Sequence, residues 1–502
     1  MGLVRRFAPL ALAFPLFAGC SSSGDDASSS DSDLFGIEPI STVLGNPPNF
    51  AQLGNGSAMS VVSRAEGRGS KAGALVELYW PHYASDNLWD SYVGITTPGQ
   101  KLRWAHQLDL VAQRVVDDTG IVQSDFTAPG VSLRIEDVVA PGIDAHVRHV
   151  VVTNTGSEPL AGVDVTFYAF YTLHLLPGGD EVHWDAAHGA LVQTDGDVTV
   201  ATMGDRAPSA SHCGLVFVPI GGQRDARGAA EAGHLTPCDH AGPSPAGVNG
   251  VLEHRLDTIP PGASKDVTYA MGLGHDEAHA LAEASRALQG GFAARAADDR
   301  THWSQELARA KMPAQLPADA RAVYRRAIIA MLQHRVDDGA FIAASTLTSP
   351  VYKLVWPRDG SKTAIDLLEA GYADEAKAFF VFLEKQLLSD GSFAVNYQPD
   401  GSGPMFDFGA SGNENDQPGM LPWGVDRVYA ATQDRAWLAA RWPAVQRVAE
   451  HILTITPDGL VAPSRDLWEL ETGGSWTYSN GSAIAGLEAA ARIARATGHD
   501  GA

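Results

Sequence analysis

At 502 residues the chain is too long for one ordinary domain, and its length points to two or three. Hydrophobic residues make up 45% and charged residues 19%, the balance of a globular protein with a large core to bury. The formal charge of −23 excludes a phosphate-tracking nucleic-acid surface, which needs an excess of lysine and arginine, and otherwise indicates only solubility.

Arg5 and Arg6 precede an apolar run from Phe7 to Phe17, followed by Ala18-Gly19-Cys20 and a serine run. A basic start, a short apolar core and small residues before the cut make a secretory signal, and the run is too short to span a bilayer. Ala18-Gly19-Cys20 resembles a bacterial lipobox, with Phe17 standing where leucine is usual. By that resemblance residues 1–20 are a lipoprotein signal peptide and Cys20 carries the lipid, so the protein is exported and anchored to a bacterial membrane, periplasmic or at the cell surface. The alternative is an ordinary cleaved signal with an incidental cysteine. Residues 21–33 contain only Ser, Gly, Asp and Ala, which cannot bury a core and read as a disordered tether. Of the remaining cysteines, Cys213 and Cys238 are a disulfide candidate in an exported chain. Two free thiols remain open, as does a metal site drawing on His212, His234 and His240, although no recognised ligand spacing joins these residues.

Residues 34–298 read as β. His146 to Thr153 is a β-branched run closed by Asn154-Thr155-Gly156, after which Val163, Val165 and Phe167 alternate with Asp164, Thr166 and Tyr168. Further runs at 198–202 and 267–270 are separated by Gly, Pro, Asn and Asp turns. Many short strands without helix-length segments between them imply a large β-sandwich of two stacked sheets. Residues 275–310, rich in Ala, Glu, Arg and Leu, read as a helical linker leaving the sandwich, with the domain boundary at 298 and the linker proper over 299–317. From 318 to 502 the period is helical, with helices expected at 318–336, 361–370, 373–388, 419–432, 435–454 and 481–497. Paired helices of this length are the material of an α/α toroid, and six of them make about half of one.

Two segments carry the chemistry. Val355-Trp356-Pro357-Arg358-Asp359 and Asp466-Leu467-Trp468-Glu469 each lie where a loop hands over to a helix, and each sets charged groups beside an indole. An aromatic face stacks on the apolar face of a pyranose while carboxylate and guanidinium groups take its hydroxyls, so the pair reads as a sugar pocket. The plainer readings are an Asp359 that serves the helix start and tryptophans that fill core.

Ala340 to Ser345, Tyr352 to Asp359, Asp390-Gly391-Ser392-Phe393 and Asp466 to Glu469, in this order and spacing, resemble the prokaryotic glucoamylase and glucodextranase group of glycoside hydrolase family fifteen. Leu53-Gly54-Asn55-Gly56-Ser57 and Glu77-Leu78-Tyr79-Trp80-Pro81-His82 are similar to the opening strands of that group's sandwich. The resemblance implies a galactose-mutarotase-like supersandwich followed by the first half of an (α/α)6 toroid. It also implies an exo-acting, inverting α-glucan hydrolase that releases glucose from non-reducing ends. Arg358 and Asp359 would hold the hydroxyls of the terminal glucose, Trp356 and Trp468 would wall the subsite, Asp466 would support its loop, and Glu469 would be the general acid. Glu471 competes for that last role. For Asn413-Glu414-Asn415-Asp416 the match is poor: Glu414 or Asp416 enters the pocket, or the turn is a solvated loop.

Inversion needs a second carboxylate as base. The resemblance places that base far downstream, whereas this sequence ends at Ala502, 33 residues beyond Glu469, so the general base is expected to be absent and the chain to be a fragment of a longer enzyme. No redox or nucleotide cofactor and no metal is indicated; calcium on the sandwich is neither indicated nor excluded. Expected partners are an α-glucan or oligosaccharide and, through the lipid, a membrane. The rivals are a disaccharide phosphorylase of the same plan and a non-catalytic glycan-binding surface lipoprotein. The sequence does not choose between α-1,4 and α-1,6 linkages.

Overall fold

The β-branched runs of the first half pair into two antiparallel sheets in the computed structural model, which describes residues 49–64, 71–174, 179–215, 225–244, 247–345, 353–404, 414–465, 473–499 and 501. Cys20, the tether, Asp466, Trp468, Glu469 and Glu471 lie outside the described residues. One sheet has eight strands in the order 49–54, 59–63, 75–79, 90–96, 163–171, 248–256 and 210–215, with 103–104 paired to 90–96. The other has nine, in the order 240–244, 180–185, 190–195, 198–204, 264–274, 145–154, 131–139, 122–128 and 109–115. The alternation read at 163–168 is the cause of the stacking. Val163, Val165, Phe167, Ala169 and Tyr171 all point into the space between the sheets. They meet Val267, Tyr269, Met271 and Leu273 of the facing strand, and Phe167 stacks on Tyr269 with ring centroids 4.8 Å apart.

A short helix α1 (Ala226–Glu231) interrupts the strands, and just beyond it Cys238 is joined to Cys213. The bond spans 25 residues, a loop for which the chain-entropy estimate is roughly 3 kcal/mol.

The strands end at Gly274, and the next element is not yet a linker. Helix α2 (Glu277–Leu288) lies on the outer face of the nine-stranded sheet through Ala280, Leu281, Ala284 and Ala287. The approach is so close that a Cβ on Gly272 would fall 2.2 Å from the Ala280 carbonyl, so this strand position admits only glycine. Helix α3 (Gly291–Arg309) then leads away, and the expected boundary at 298 falls inside it. Its first half still packs on the sheet, through Phe292 and Ala296, with Phe292 stacked on His149.

The helical region follows as α4 (Ala318–Gln333), α5 (Pro357–Glu369), α6 (Ala373–Lys385), α7 (Met420–Thr432), α8 (Arg435–Thr454) and α9 (Thr477–Thr497). Helix α7 touches α5 and α9 in one row, while α6 packs outside α5 and α7, and α8 outside α7 and α9. This is the half-toroid arrangement, with α5, α7 and α9 as its inner row. Two expected starts move: α5 begins at Pro357 rather than 361, and α9 at Thr477 rather than 481. In both, the first turn is polar, so the apolar stripe becomes visible only a turn later.

Sandwich and helices share a tight seam. The Tyr83 hydroxyl accepts from Gly56 N (2.8 Å) and donates to Gln333 O at the end of α4 (3.1 Å), and Asp337 N donates to Gly56 O (3.1 Å). Gly56 and Tyr83, next to the opening strands, therefore dock the helices onto the sandwich.

Asp180 offers a test of how burial sets pH dependence. It is fully buried, its Oδ1 accepts from Leu173 N (2.9 Å), and its Oδ2 has no partner among the described residues. Burial pushes its carboxyl up to about 7. A folded pKa raised above the unfolded value gives a contribution that is full below the unfolded pKa, about 4, and is lost as pH rises through the folded one. Asp180→Asn is expected to be near neutral at about pH 3.5 and to raise the unfolding free energy by roughly 1–3 kcal/mol at pH 8, measured by urea titration. An equal effect at both pH values would mean that the carboxyl does not titrate in this range.

Candidate functional site

The site is built where the inner-row helices begin. Pro357 occupies the first position of α5, where no N–H is needed and its fixed φ suits a helix. Trp356 precedes it in extended conformation (φ −90°, ψ 131°), and no side chain caps the helix. Asp359 is therefore not the cap; it sits in the first turn with its side chain 48% exposed.

Arg358, only 5% exposed, points the other way. Its Nη1 donates to Glu414 Oε2 (2.9 Å) and to Asp416 Oδ2 (3.0 Å), and both carboxylates are buried. Its Nε lies 3.8 Å from Asp359 Oδ2, beyond hydrogen-bond length. Burial works against the guanidinium charge, but Asp416 and Glu414 outweigh it and raise its proton affinity above the ordinary value. Burial likewise raises the Asp416 carboxyl, the Asp359 charge adds to this, and Arg358 pulls against both.

The loop before α7 is tied in on every side. Gln417 Nε2 donates to Glu414 Oε2 (2.6 Å) and Val395 O (3.1 Å), and Ser482 Oγ on α9 donates to Asp416 O (2.5 Å). Asn415 donates from its backbone N to Ser464 Oγ (3.3 Å) and from Nδ2 to Ala462 O (3.1 Å). Ser464 and Gly474 pair through both backbone groups at 3.1 Å, and Trp476 Nε1 donates to Ser464 O (2.8 Å). Ser464 and Gly474 are thus paired beside Asn415, next to the partners of Arg358. Asp466, Trp468, Glu469 and Glu471 lie outside the described residues.

Beside this cluster a cleft of about 420 Å³ opens between the N-terminal ends of α5, α7 and α9, lined by Lys362, Met420, Trp423, Tyr478, Ser482 and Ala485. Its walls are largely apolar, its volume is in the range of small-ligand sites, and Ser482 joins it to Asp416. Among the described residues no three His, Cys, Asp or Glu side chains converge as metal ligands would.

Of the two readings left open for the turn at 413–416, the solvated loop does not hold for Glu414 and Asp416: they are buried because Arg358 is buried, and a guanidinium inside the protein needs carboxylate partners. Arg358 directs Nη1 at those carboxylates, which leaves Asp359 as the exposed charge of the motif. Periodicity carried no sign of Gln417 or Ser482. The available signal was chemical, namely that an arginine at a helix start behind a tryptophan needs acids, and Glu414 and Asp416 directly precede α7.

Removing one side of the buried pairing is expected to be costly and removing the exposed charge is not. Asp416→Ala should lower the unfolding free energy by roughly 3–5 kcal/mol, and Asp359→Ala by under about 1 kcal/mol, both measured by urea titration. Equal costs would show that Arg358 does not depend on Asp416.

Residues 318–417 match the family described as glycosyl hydrolases family 15. Over 175 residues the chain is 31% identical to an uncharacterized glycosyl hydrolase of Methanocaldococcus jannaschii, a match covering 35% of this chain and only 27% of that protein. In fold it is similar to a bacterial glucoamylase complexed with acarbose, with a TM-score of 0.71 at 14% identity over 91% of this chain and 66% of that one. It is also similar to a protein described as a kojibiose phosphorylase from the human microbiome, with a TM-score of 0.57 at 10% identity over 93% of this chain and 67% of that one. At these identities the two structures speak for the fold alone. The likeness to glycosyl hydrolases family 15 is confined to residues 318–417, the span that holds Trp356, Arg358, Asp359, Glu414 and Asp416.

Proposed function

We propose that the site takes the non-reducing end of an α-glucan and that the enzyme releases glucose from it with inversion. The observation that carries this reading is the division of labour at the start of α5. Arg358 is fixed by Glu414 and Asp416, and Asp359 is held beside it as a half-exposed carboxylate on a rigid base. A carboxylate so placed accepts from sugar hydroxyls, while the neighbouring Trp356 is largely buried and braces it from behind. In this reading Trp356 and Trp468 wall the subsite, Asp466 supports its loop, and Glu469 protonates the glycosidic oxygen. The base is not assigned to any residue. The reading also takes Cys20 as lipidated, so that the enzyme works from a bacterial membrane.

The family match over 318–417 and the fold likeness to a glucoamylase complexed with acarbose both support hydrolysis. The fold likeness to a kojibiose phosphorylase favours a second reading, in which phosphate replaces water.

The test begins with titration of maltotriose and acarbose, followed by proton NMR of the products. Binding is expected, with β-glucose appearing first if turnover occurs; α-glucose as first product would refute inversion, and turnover only with added phosphate would move the assignment to the phosphorylase. Glu469→Gln is expected to keep sugar binding and lose at least about a hundredfold in turnover, the usual range for a general acid. Loss on replacing Glu471 but not Glu469 would transfer the role. Asp359→Asn should weaken sugar binding by roughly tenfold or more, as for a lost charge-assisted hydrogen bond.

A further inference from the structure

The segment that leads into Trp356 is held from outside the helical region. Lys353 is 3% exposed, a rare state for lysine, and its partners belong to the sandwich. Its Nζ donates to the carbonyl of Ala84 and lies 3.5 Å from that of Tyr83. It also sits 5.4 Å above the ring of Tyr79, whose hydroxyl donates to Glu77 (2.6 Å). The turn that presents these carbonyls has an unusual backbone. His82 and Tyr83 both adopt left-handed conformations, with φ of 50° and 58°, which bulky residues adopt only when their surroundings enforce it. The Tyr83 hydroxyl is held by Gly56 N of the sandwich and, from the helical side, by Gln333 O. Two residues after Lys353, Val355 exchanges both backbone hydrogen bonds with Tyr397, each 2.9 Å long. The next residue is Trp356, whose carbonyl accepts from Gly360 N (2.9 Å) to open α5.

We propose that Lys353 is a positioning residue: its ammonium, seated on the carbonyls of the strained turn, lets the sandwich set the pose of residues 355–359 and hence of the sugar site. The inference rests on the proposed function for its meaning in catalysis, but not for its structural content. It gives the sandwich a part in the site. The geometry also has a charge logic. Asp86 and Glu77 from the sandwich and Asp400 from the helical side face the ammonium, while burial pulls its pKa down to about 8. Loss of the proton above that value leaves a neutral amine on the two carbonyls, with the facing carboxylates no longer balanced.

The test is hydrogen exchange, read by mass spectrometry, on the wild type and on Lys353→Met. The variant is expected to exchange at least tenfold faster in peptides covering 353–361 and 394–398, with peptides covering 264–274 and 435–454 unchanged. In the wild type, raising the pH from 7 to 9.5 should accelerate the same two regions beyond the intrinsic rate change, a measurement that needs no variant to fold. Unchanged protection at 353–361 in both experiments overturns the proposal. Titration with acarbose then separates the two readings. If the wild type binds and Lys353→Met binds at least tenfold more weakly, positioning of the site is supported. Equal binding refutes it, and a wild type that does not bind sinks the sugar-site reading while exchange still decides the role of the lysine.

Discussion

A guanidinium that is almost wholly buried can keep its charge only if carboxylates come with it, and the helical region is arranged around meeting that condition for Arg358. The partners come from the loop before α7. That loop is in turn held by Ser482 of α9, by the Ala462 carbonyl and by the Ser464 hydroxyl. One ionic contact thus draws the starts of three inner-row helices to one point. The cleft lined by Lys362, Trp423 and Tyr478 lies where they converge.

Convergence also requires that the rows approach closely, and glycine provides this at two crossings. A Cβ on Gly360 would lie 2.3 Å from the ring of Phe379, and one on Gly424 would lie 1.9 Å from the ring of Phe380. Two consecutive phenylalanines of the outer helix α6 therefore press on bare backbone in α5 and in α7. The ring stacks fix the distance between rows, and the Arg358 pairing fixes the register along them. Neither would suffice alone, because packing is tolerant of sliding and a salt bridge is tolerant of rotation.

The architecture was legible wherever a single physical period ran long enough. Alternation at 163–168 and β-branched runs such as 267–270 point to a sandwich, and helical periodicity points to the helices from 318 onward. What failed to show was set by contacts between distant segments. The start of α5 depends on Pro357 and on partners roughly sixty residues away, so its polar first turn carries no periodic signal. Whether Glu414 and Asp416 enter the pocket or lie in a solvated loop stays open in the sequence because local composition cannot reveal that a buried arginine lies across from them. The docking roles of Gly56, Tyr83 and Lys353 were hidden for the same reason, since strand-like motifs and a lone lysine acquire meaning only when the sandwich meets the helices. Trp356, Arg358 and Asp359 were visible because their residue types are unusual together, but the direction in which each faces was not.

The distribution of charge bears on whether such a site catalyses or only binds. Three carboxylates, Asp359, Glu414 and Asp416, surround one guanidinium, and the proton affinity of Asp416 is raised even with Arg358 in contact. The corner therefore carries an excess of negative potential. A surface that merely holds neutral sugar hydroxyls gains little from this excess, because hydroxyls can donate to amides or carbonyls without the repulsion that clustered carboxylates cost. Positive charge developing on a sugar ring during glycosidic cleavage does gain from it, and gains more in a partly buried cleft than it would in water. The strained and buried devices that hold the corner in place, from the Tyr83 turn to the Gln417 and Ser482 contacts, are what maintaining like charges at close range requires. On the reading proposed here, the stability spent on keeping Asp359 next to a buried acidic pair is explained by the transition state rather than by the ground state.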